Sequence, residues 1–180
     1  GEYDPEQPAR LARAAALALE LAVGDLAPAK LASGSARVAL ARNRRLSGGA
    51  IDDELPVLRI DFADGRAPIA LFAFGAHASL LSARGDLYSA DWPGAARAAL
   101  AARGVRAVYV PGPLGDQEPE IELGTWPSVE IEYAKRTEYG EAVASAVMRA
   151  STPLEPRADV ELAALERPQE PLRIGRVIGR

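Results

Sequence analysis

The chain has 180 residues and a mass of 19.0 kDa, with 48% hydrophobic and 26% charged residues, which is typical of one globular domain able to bury a core. Its net charge of -4 argues against a nucleic-acid-binding face, and the lack of cysteine excludes disulfides and thiolate metal sites. No apolar run approaches the roughly 20 residues of a membrane span. The N-terminal residues GEYDPEQ show no signal-peptide pattern, and the compartment stays undetermined.

The N-terminal segment is predicted to form a helix over residues 4–26. Asp4 can cap this helix, and Pro5 suits its first position. Apolar residues then recur at helical spacing from Leu11 onward. Pro28 closes the segment, because proline cannot continue a helix.

The next segments are predicted to be strands. Residues 29–43 have a short, strand-like pattern, in which Gly34–Ser35 predicts a bulge or bend. After a polar loop, Val57 to Phe62 alternates apolar and polar residues, Asp64–Gly65 supplies a turn, and Pro68 to Phe74 is continuously apolar. This pattern predicts a β-hairpin whose second strand is buried on both faces.

A second helix is predicted over residues 89–104. Ser89 or Asp91 can cap it, and Gly104 supplies its stop. Residues 105–110, VRAVYV, are predicted to form another central strand. Strand, helix and strand together have the length of a crossover unit. The fold class is therefore predicted to be α/β, with a mixed sheet and helices packed on it.

The remaining residues complete a single predicted domain over positions 1–180. Residues 111–128 form a long loop rich in glycine, proline and acidic residues. Residues 133–151 are predicted to be a third helix, which tolerates Gly140 at some cost. Residues 158–168 are predicted to form a strand, and the tail after them is weakly defined.

The only histidine of the chain, His77, directly follows the apolar strand in the stretch LFAFGAHASLL. In open α/β sheets, sites form at the loops that leave the carboxyl ends of strands. If their strands are parallel neighbours, the loop that begins at His77 and the loop over residues 111–120 open at one edge of the sheet. That arrangement places the imidazole near Asp116, Gln117, Glu118 and Glu120. Histidine is a common general base and metal ligand, although a zinc site usually takes at least three protein ligands. The competing interpretation is a hydrogen-bonded structural histidine beside solvated acids.

Five segments in order resemble the neutral/alkaline non-lysosomal ceramidase family: ARNRR, DDELPVLRID, GRAPIALFAFGAHASLL, YSADWPGAARAAL and AVYVPGPLGDQEPE. In that family an Asn-Arg pair precedes a strand hairpin, and an apolar strand ends in a zinc-binding histidine. A later strand runs into a Gly-Asp-x-Ser-Pro loop that carries an active-site serine. The resemblance is clearest over residues 41–120.

The resemblance implies a zinc-dependent amidohydrolase that cleaves N-acylsphingosine or a related lipid amide. It implies that His77 binds one zinc ion and that Arg44 holds the polar end of the substrate. Asp116 matches the serine loop, in which Glu118 stands where the family has serine. The candidate catalytic residues are therefore Glu118, Asp116 and Arg44. The expected partner is a small lipid amide. A peripheral contact with the membrane is a further possibility, because such a substrate would reach the site from a lipid surface.

The same resemblance leaves the site incomplete in this chain. The family's other zinc ligands, an upstream histidine and a downstream glutamate and tyrosine, are expected to lie outside it, which would make the chain a fragment of a larger catalytic domain. The alternative is a catalytically inactive module that binds a ligand or partner on the same fold. A third class, a serine hydrolase that pairs His77 with Ser79, Ser82 or Ser89, lacks the G-x-S-x-G motif.

Overall fold

The computed structural model describes residues 4–81, 88–121 and 126–160. These ranges contain three helices and six strands: α1 (Gln7–Gly24), β1 (Ala29–Arg37), β2 (Ala41–Asn43), β3 (Glu54–Phe62), β4 (Ile69–Phe74), α2 (Asp91–Ala102), β5 (Arg106–Pro111), β6 (Gln117–Pro119) and α3 (Val129–Ser151). No helix in the described ranges is long and apolar enough to cross a membrane. Most of the strand predicted at residues 158–168 lies outside them.

A four-stranded mixed sheet in the order β1-β3-β4-β5 forms the centre of the molecule. β3 pairs antiparallel with β1 and with β4, whereas β4 and β5 are parallel and are connected through α2. β2 and β6 form a separate antiparallel pair. The predicted α/β class, with a mixed sheet and packed helices, is confirmed. The predicted hairpin of β3 and β4 is also confirmed, and its turn contains Gly65 at a φ of 79°.

Helices α2 and α3 pack on one face of this sheet, and the core lies between these layers. The largest fully buried side chains include Trp92, Phe72, Phe74, Leu55 and Leu100. On the opposite face Leu71 is half-buried, while Val108 and Val110 are 48% and 43% exposed. The predictions that β4 is buried on both faces and that β5 is central are therefore wrong for the described residues. An apolar strand sequence cannot say whether a second layer covers it.

The α2–α3 contact depends on Gly140. A Cβ at this position would lie 2.5 Å from the Cβ of Ala95 and 2.7 Å from the backbone nitrogen of Ala96. Gly140 therefore permits the close approach of the two helices. The expectation that α3 merely tolerates this glycine is corrected accordingly. Helix α3 also starts at Val129, earlier than predicted, because the Ser128 hydroxyl caps it by accepting a first-turn N–H at 3.4 Å.

Strand β1 continues without a bulge through Gly34, which pairs in register with Val57. A Cβ on Gly34 would lie 2.9 Å from Leu154 Cδ2 and 3.3 Å from the Ala150 carbonyl oxygen. The glycine thus makes room for the chain where it leaves α3. The predicted bulge or bend is wrong: Gly34 is required for the close contact with Leu154 and Ala150, and the strand pairing is regular there.

Helix α1 confirms the helix predicted over residues 4–26, although its start differs. The N-cap is Glu6, and the Asp4 carboxylate accepts the Glu6 N–H at 2.9 Å. No residue of α1 is buried, and Leu11 is 62% exposed. The helical spacing of apolar residues predicted the helix, but it could not predict whether another element covers the apolar face.

The start of α2 also differs from the predicted cap. Ala90 occupies the N-cap position, while the Ser89 hydroxyl accepts the Asp91 N–H at 3.1 Å. The Asp91 carboxylate accepts the next amide, that of Trp92, at 2.6 Å. Gly104 follows the helix with a φ of 77°, as expected for a glycine stop.

Candidate active site

The parallel strands β4 and β5 end side by side, so the loops that leave them start together. The N–H of Gly112 donates to the carbonyl oxygen of Phe74 at 3.1 Å. A Cβ on Gly112 would lie 2.9 Å from the backbone nitrogen of Gly75. Gly112 therefore lets the two strand ends approach each other more closely than a residue with a side chain would allow.

Gln117 joins the segments that surround these strand ends. Its side chain is almost fully buried, its Oε1 accepts the N–H of Asp52 at 2.6 Å, and its Nε2 donates to the carbonyl oxygen of Pro113. Its main-chain carbonyl accepts the N–H of His77 at 3.1 Å. Gln117 belongs to the loop that was expected near His77, but its burial was not predicted, because a glutamine in a polar loop carries no signal that distinguishes it from a solvated one.

His77 lies in the turn that follows β4 and is half-buried. Its ring nitrogen Nε2 is buried and has no hydrogen-bond partner among the described residues. Its carbonyl oxygen accepts hydrogen bonds from the indole Nε1 of Trp92 and from the N–H of Ser79, both at 3.0 Å. The main chain of His77 is thus held on both sides, while the inner nitrogen of the ring is unsatisfied by the described protein atoms.

The short β2–β6 pair brings Arg42 opposite Glu118. The Arg42 Nε donates to Glu118 Oε1 at 2.9 Å, and the two side chains are 40% and 20% exposed, respectively. The next pair in the ladder, Asn43 opposite Gln117, lies on the other side of the strands because side chains alternate. The long loop predicted after β5 therefore contains a strand, formed through pairing with a distant segment.

Arg44 and Asp116 build the loop beside this pair. The N–H of Arg44 donates to the Asp116 carbonyl oxygen at 2.8 Å, and its guanidinium Nη2 donates to the Gly115 carbonyl oxygen at 2.9 Å. The Asp116 carboxylate accepts from the side-chain amide of Asn43 at 2.9 Å. Both residues are exposed, so each keeps hydrogen-bonding capacity beyond these contacts.

A cleft of about 600 Å³ opens over the β2–β6 pair. Arg42, Arg44 and Glu118 line it, together with residues 45–49, Ile51 and Glu120. His77 and Asp116 do not line this cleft. The structure thus brings Arg44 and Glu118 into one cleft and connects His77 to it through the backbone of Gln117, one residue from Glu118.

An aromatic cluster lies beneath the His77 turn. The ring of Trp92 packs edge-on against Phe74, Tyr109 and Tyr139, with centroid distances of 6.0, 5.0 and 5.6 Å. The Tyr109 hydroxyl donates to the Phe74 carbonyl oxygen at 3.0 Å, and burial raises the pKa of Tyr109 to about 12. Burial, followed by the nearby Tyr109 and Glu120, also raises the pKa of Tyr139. These tyrosines therefore remain protonated hydrogen-bond donors near neutral pH.

The described residues contain no group of three or more His, Cys, Asp or Glu side chains that could hold a metal ion. The serine alternative gains no support from the described contacts either. The Ser89 hydroxyl is engaged by the Asp91 N–H, Ser79 contacts His77 through its backbone N–H, and Ser82 lies outside the described residues.

Solved ceramidase structures share this fold. Neutral ceramidase from Pseudomonas aeruginosa superposes with a TM-score of 0.64 at 22% sequence identity, over 76% of this chain and 25% of that chain. A ceramidase complexed with C2 superposes with a TM-score of 0.63 at 22% identity, over 74% and 24% of the two chains. The chain spans about a quarter of the length of these structures, and the likeness establishes a ceramidase-like fold. No protein-family model and no curated protein matches the sequence.

Proposed function

We propose that this chain supplies one wall of the active site of a zinc-dependent amidohydrolase that cleaves N-acylsphingosine or a related lipid amide. The observation that carries the proposal is the meeting of three segments at the carboxyl ends of β4 and β5. They are the turn at His77, the loop over residues 115–119 and the segment from Arg42 to Arg44. These segments carry the resemblance in sequence, and the fold that brings them together is ceramidase-like.

Zinc is the cofactor that the sequence resemblance implies, and His77 suits it as one ligand. A buried imidazole nitrogen without a protein partner is costly unless something else satisfies it, and imidazole is a usual zinc ligand. The described residues do not form a complete ligand set, so we assign the further ligands to polypeptide outside them. When bound, zinc polarises the amide carbonyl and lowers the pKa of a bound water.

Arg44 is proposed to hold the polar end of the substrate. Its guanidinium lines the cleft, and the bond from Nη2 to the Gly115 carbonyl fixes the orientation of the group. A guanidinium has five N–H donors in a planar fork, so the remaining donors are available to hydroxyl or carbonyl oxygens of a ligand. Fixing the orientation in advance lowers the entropy lost on binding.

Glu118 is proposed as a general base and cannot form an acyl-enzyme as a serine would. Arg42 holds Oε1, while Oε2 has no hydrogen bond among the described residues and can accept a proton from an attacking water. The extra negative charge at this position would disfavour a developing oxyanion, and the paired Arg42 offsets that effect. Asp116 is proposed to support this loop through its bond to Asn43.

The proposal is tested on the protein as its gene encodes it, by metal analysis and by release of fatty acid from a fluorescent N-acylsphingosine. We expect bound zinc in the parent protein and its loss in His77→Ala. Arg44→Ala is expected to lose amide hydrolysis. The matched control is Arg45→Ala, because Arg45 lines the same cleft and its guanidinium makes no hydrogen bond among the described residues.

Each result bears on a separate part of the proposal. Zinc content that does not change in His77→Ala would remove His77 from the metal site. Zinc binding without hydrolysis of any N-acylated lipid would overturn the assigned reaction and point to a ligand-binding module. Equal losses of hydrolysis in Arg44→Ala and Arg45→Ala would contradict a specific substrate contact by Arg44.

A further inference from the structure

The turn that carries His77 is held at both of its ends by the first two residues of α2. At one end the Trp92 indole Nε1 donates to the His77 carbonyl oxygen at 3.0 Å. At the other end the Asp91 Oδ2 accepts the N–H of Leu81 at 2.9 Å. Two adjacent side chains therefore bind a turn of five residues to the start of one helix.

Asp91 reaches this position through a strained backbone. Its φ is 49°, and it is the only described non-glycine residue with a positive φ. The left-handed conformation is disfavoured for residues with a Cβ, and such strain persists only where surrounding contacts enforce it. Asp91 is 6% exposed, and both of its carboxylate oxygens accept backbone N–H groups, from Leu81 and from Trp92. The strained conformation of Asp91 thus places its carboxylate where it accepts both of these N–H groups.

The orientation of the Trp92 side chain is fixed by its packing in the core. Its side chain has no exposed surface, and Phe74, Tyr109 and Tyr139 surround its ring. An indole packed on several sides cannot change rotamer without disturbing its neighbours. The direction of its N–H is therefore set by the core and is transmitted to the main chain of His77.

We propose that Asp91 and Trp92 are positioning residues for the His77 imidazole. They act through the backbone of the turn and keep the ring where Nε2 remains enclosed and free of described protein partners. The inference deepens the proposed function and rests on it, because a turn held in this way prepares the nitrogen for an external ligand. Neither residue is assigned a contact with the substrate.

The test uses the fact that His77 is the only histidine, so its NMR signals after selective labelling need no assignment by mutation. Three variants of the chain separate the contributions. Trp92→Phe keeps an aromatic ring and removes the indole N–H. Asp91→Asn keeps the shape and weakens the acceptor, whereas Asp91→Gly removes the carboxylate and relieves the strained φ.

Two quantities are measured without added metal: the ring resonances of His77 and its rate of modification by diethylpyrocarbonate. We expect Trp92→Phe and Asp91→Gly to shift the resonances. We also expect them to accelerate modification about five- to tenfold, as opening of the turn becomes easier when one buried hydrogen bond is lost. Asp91→Asn is expected to fall between Asp91→Gly and the parent.

Val143→Ala is the control for a general loss of stability, because it truncates a fully buried side chain in α3. It should destabilise the fold while leaving the His77 resonances in place. Unchanged His77 signals in both Trp92→Phe and Asp91→Gly would overturn the inference, as would an equal shift in Val143→Ala. Since no zinc or substrate is present, these results are independent of whether the proposed hydrolase activity is found.

Discussion

Replacing Gly140 by alanine tests how closely α2 and α3 pack. The added Cβ would lie 2.5 Å from the Ala95 Cβ, 2.7 Å from the Ala96 nitrogen and 2.9 Å from the Ala95 carbonyl carbon. Two of these atoms belong to the backbone and cannot rotate away as the end of a flexible side chain could. The variant is therefore expected to push the two helices apart.

The expected loss of stability follows from two opposing effects. Alanine in place of glycine within a helix stabilises the folded state by about 1 kcal/mol. Carbon atoms in favourable contact lie roughly 3.5–4.0 Å apart, so the helices must separate by about 1 Å. Overpacking of this kind typically costs about 1–3 kcal/mol, and the rigid neighbours favour the upper part of that range. A net destabilisation of about 1–2 kcal/mol is expected.

Urea and thermal unfolding followed by circular dichroism measure this change. A loss of that size corresponds to a decrease in Tm of roughly 2–8 °C for a chain of this length. Gly24→Ala is the matched control, because Gly24 is also helical and a Cβ there meets nothing within 4 Å. If Gly140→Ala were as stable as the parent or as Gly24→Ala, the close contact between α2 and α3 would be refuted.

Two further predictions concern the surroundings of the site. In Gly75→Ala, the new Cβ would lie 2.5 Å from the Gln117 amide nitrogen and 3.2 Å from the Pro113 carbonyl oxygen. The Gln117 side chain is buried and bonded to that carbonyl, so it cannot simply rotate away; stability should fall by about 1–3 kcal/mol and the His77 resonances should move. The same change at Gly115, which meets nothing within 4 Å, should leave those resonances in place. The raised pKa of Tyr109, about 12, means that the unfolded chain releases this proton first, so folding stability should fall from pH 10 towards pH 12. Urea midpoints across that range should decline less steeply in Tyr109→Phe, and an identical slope in both proteins would contradict the assignment.

Local sequence patterns predicted those parts of the fold that depend on interactions between residues close together in the sequence. The alternation in β3, the turn at Gly65 and the apolar run of β4 predicted the hairpin that the structure contains. The helix stop at Gly104 and the crossover to β5 were predicted for the same reason. The candidate site was predicted only as two loops that share an edge. Its chemical roles, including zinc binding by His77 and the parts assigned to Arg44, Asp116 and Glu118, stay predictions.

The α/β class could be predicted from the amino-acid order alone, because hydrophobic periodicity and turn residues act locally and leave a recognisable pattern. Which faces are covered depends on tertiary contacts. Within the described ranges α1 has no buried residue although its apolar spacing is helical, and β5 lies at a sheet edge although its sequence is apolar. Tertiary contacts also place Asp91 in a strained conformation and make Gln117 a buried connection from its own loop to Asp52 and to His77. These features depend on partners distant in sequence, whose positions no local pattern encodes.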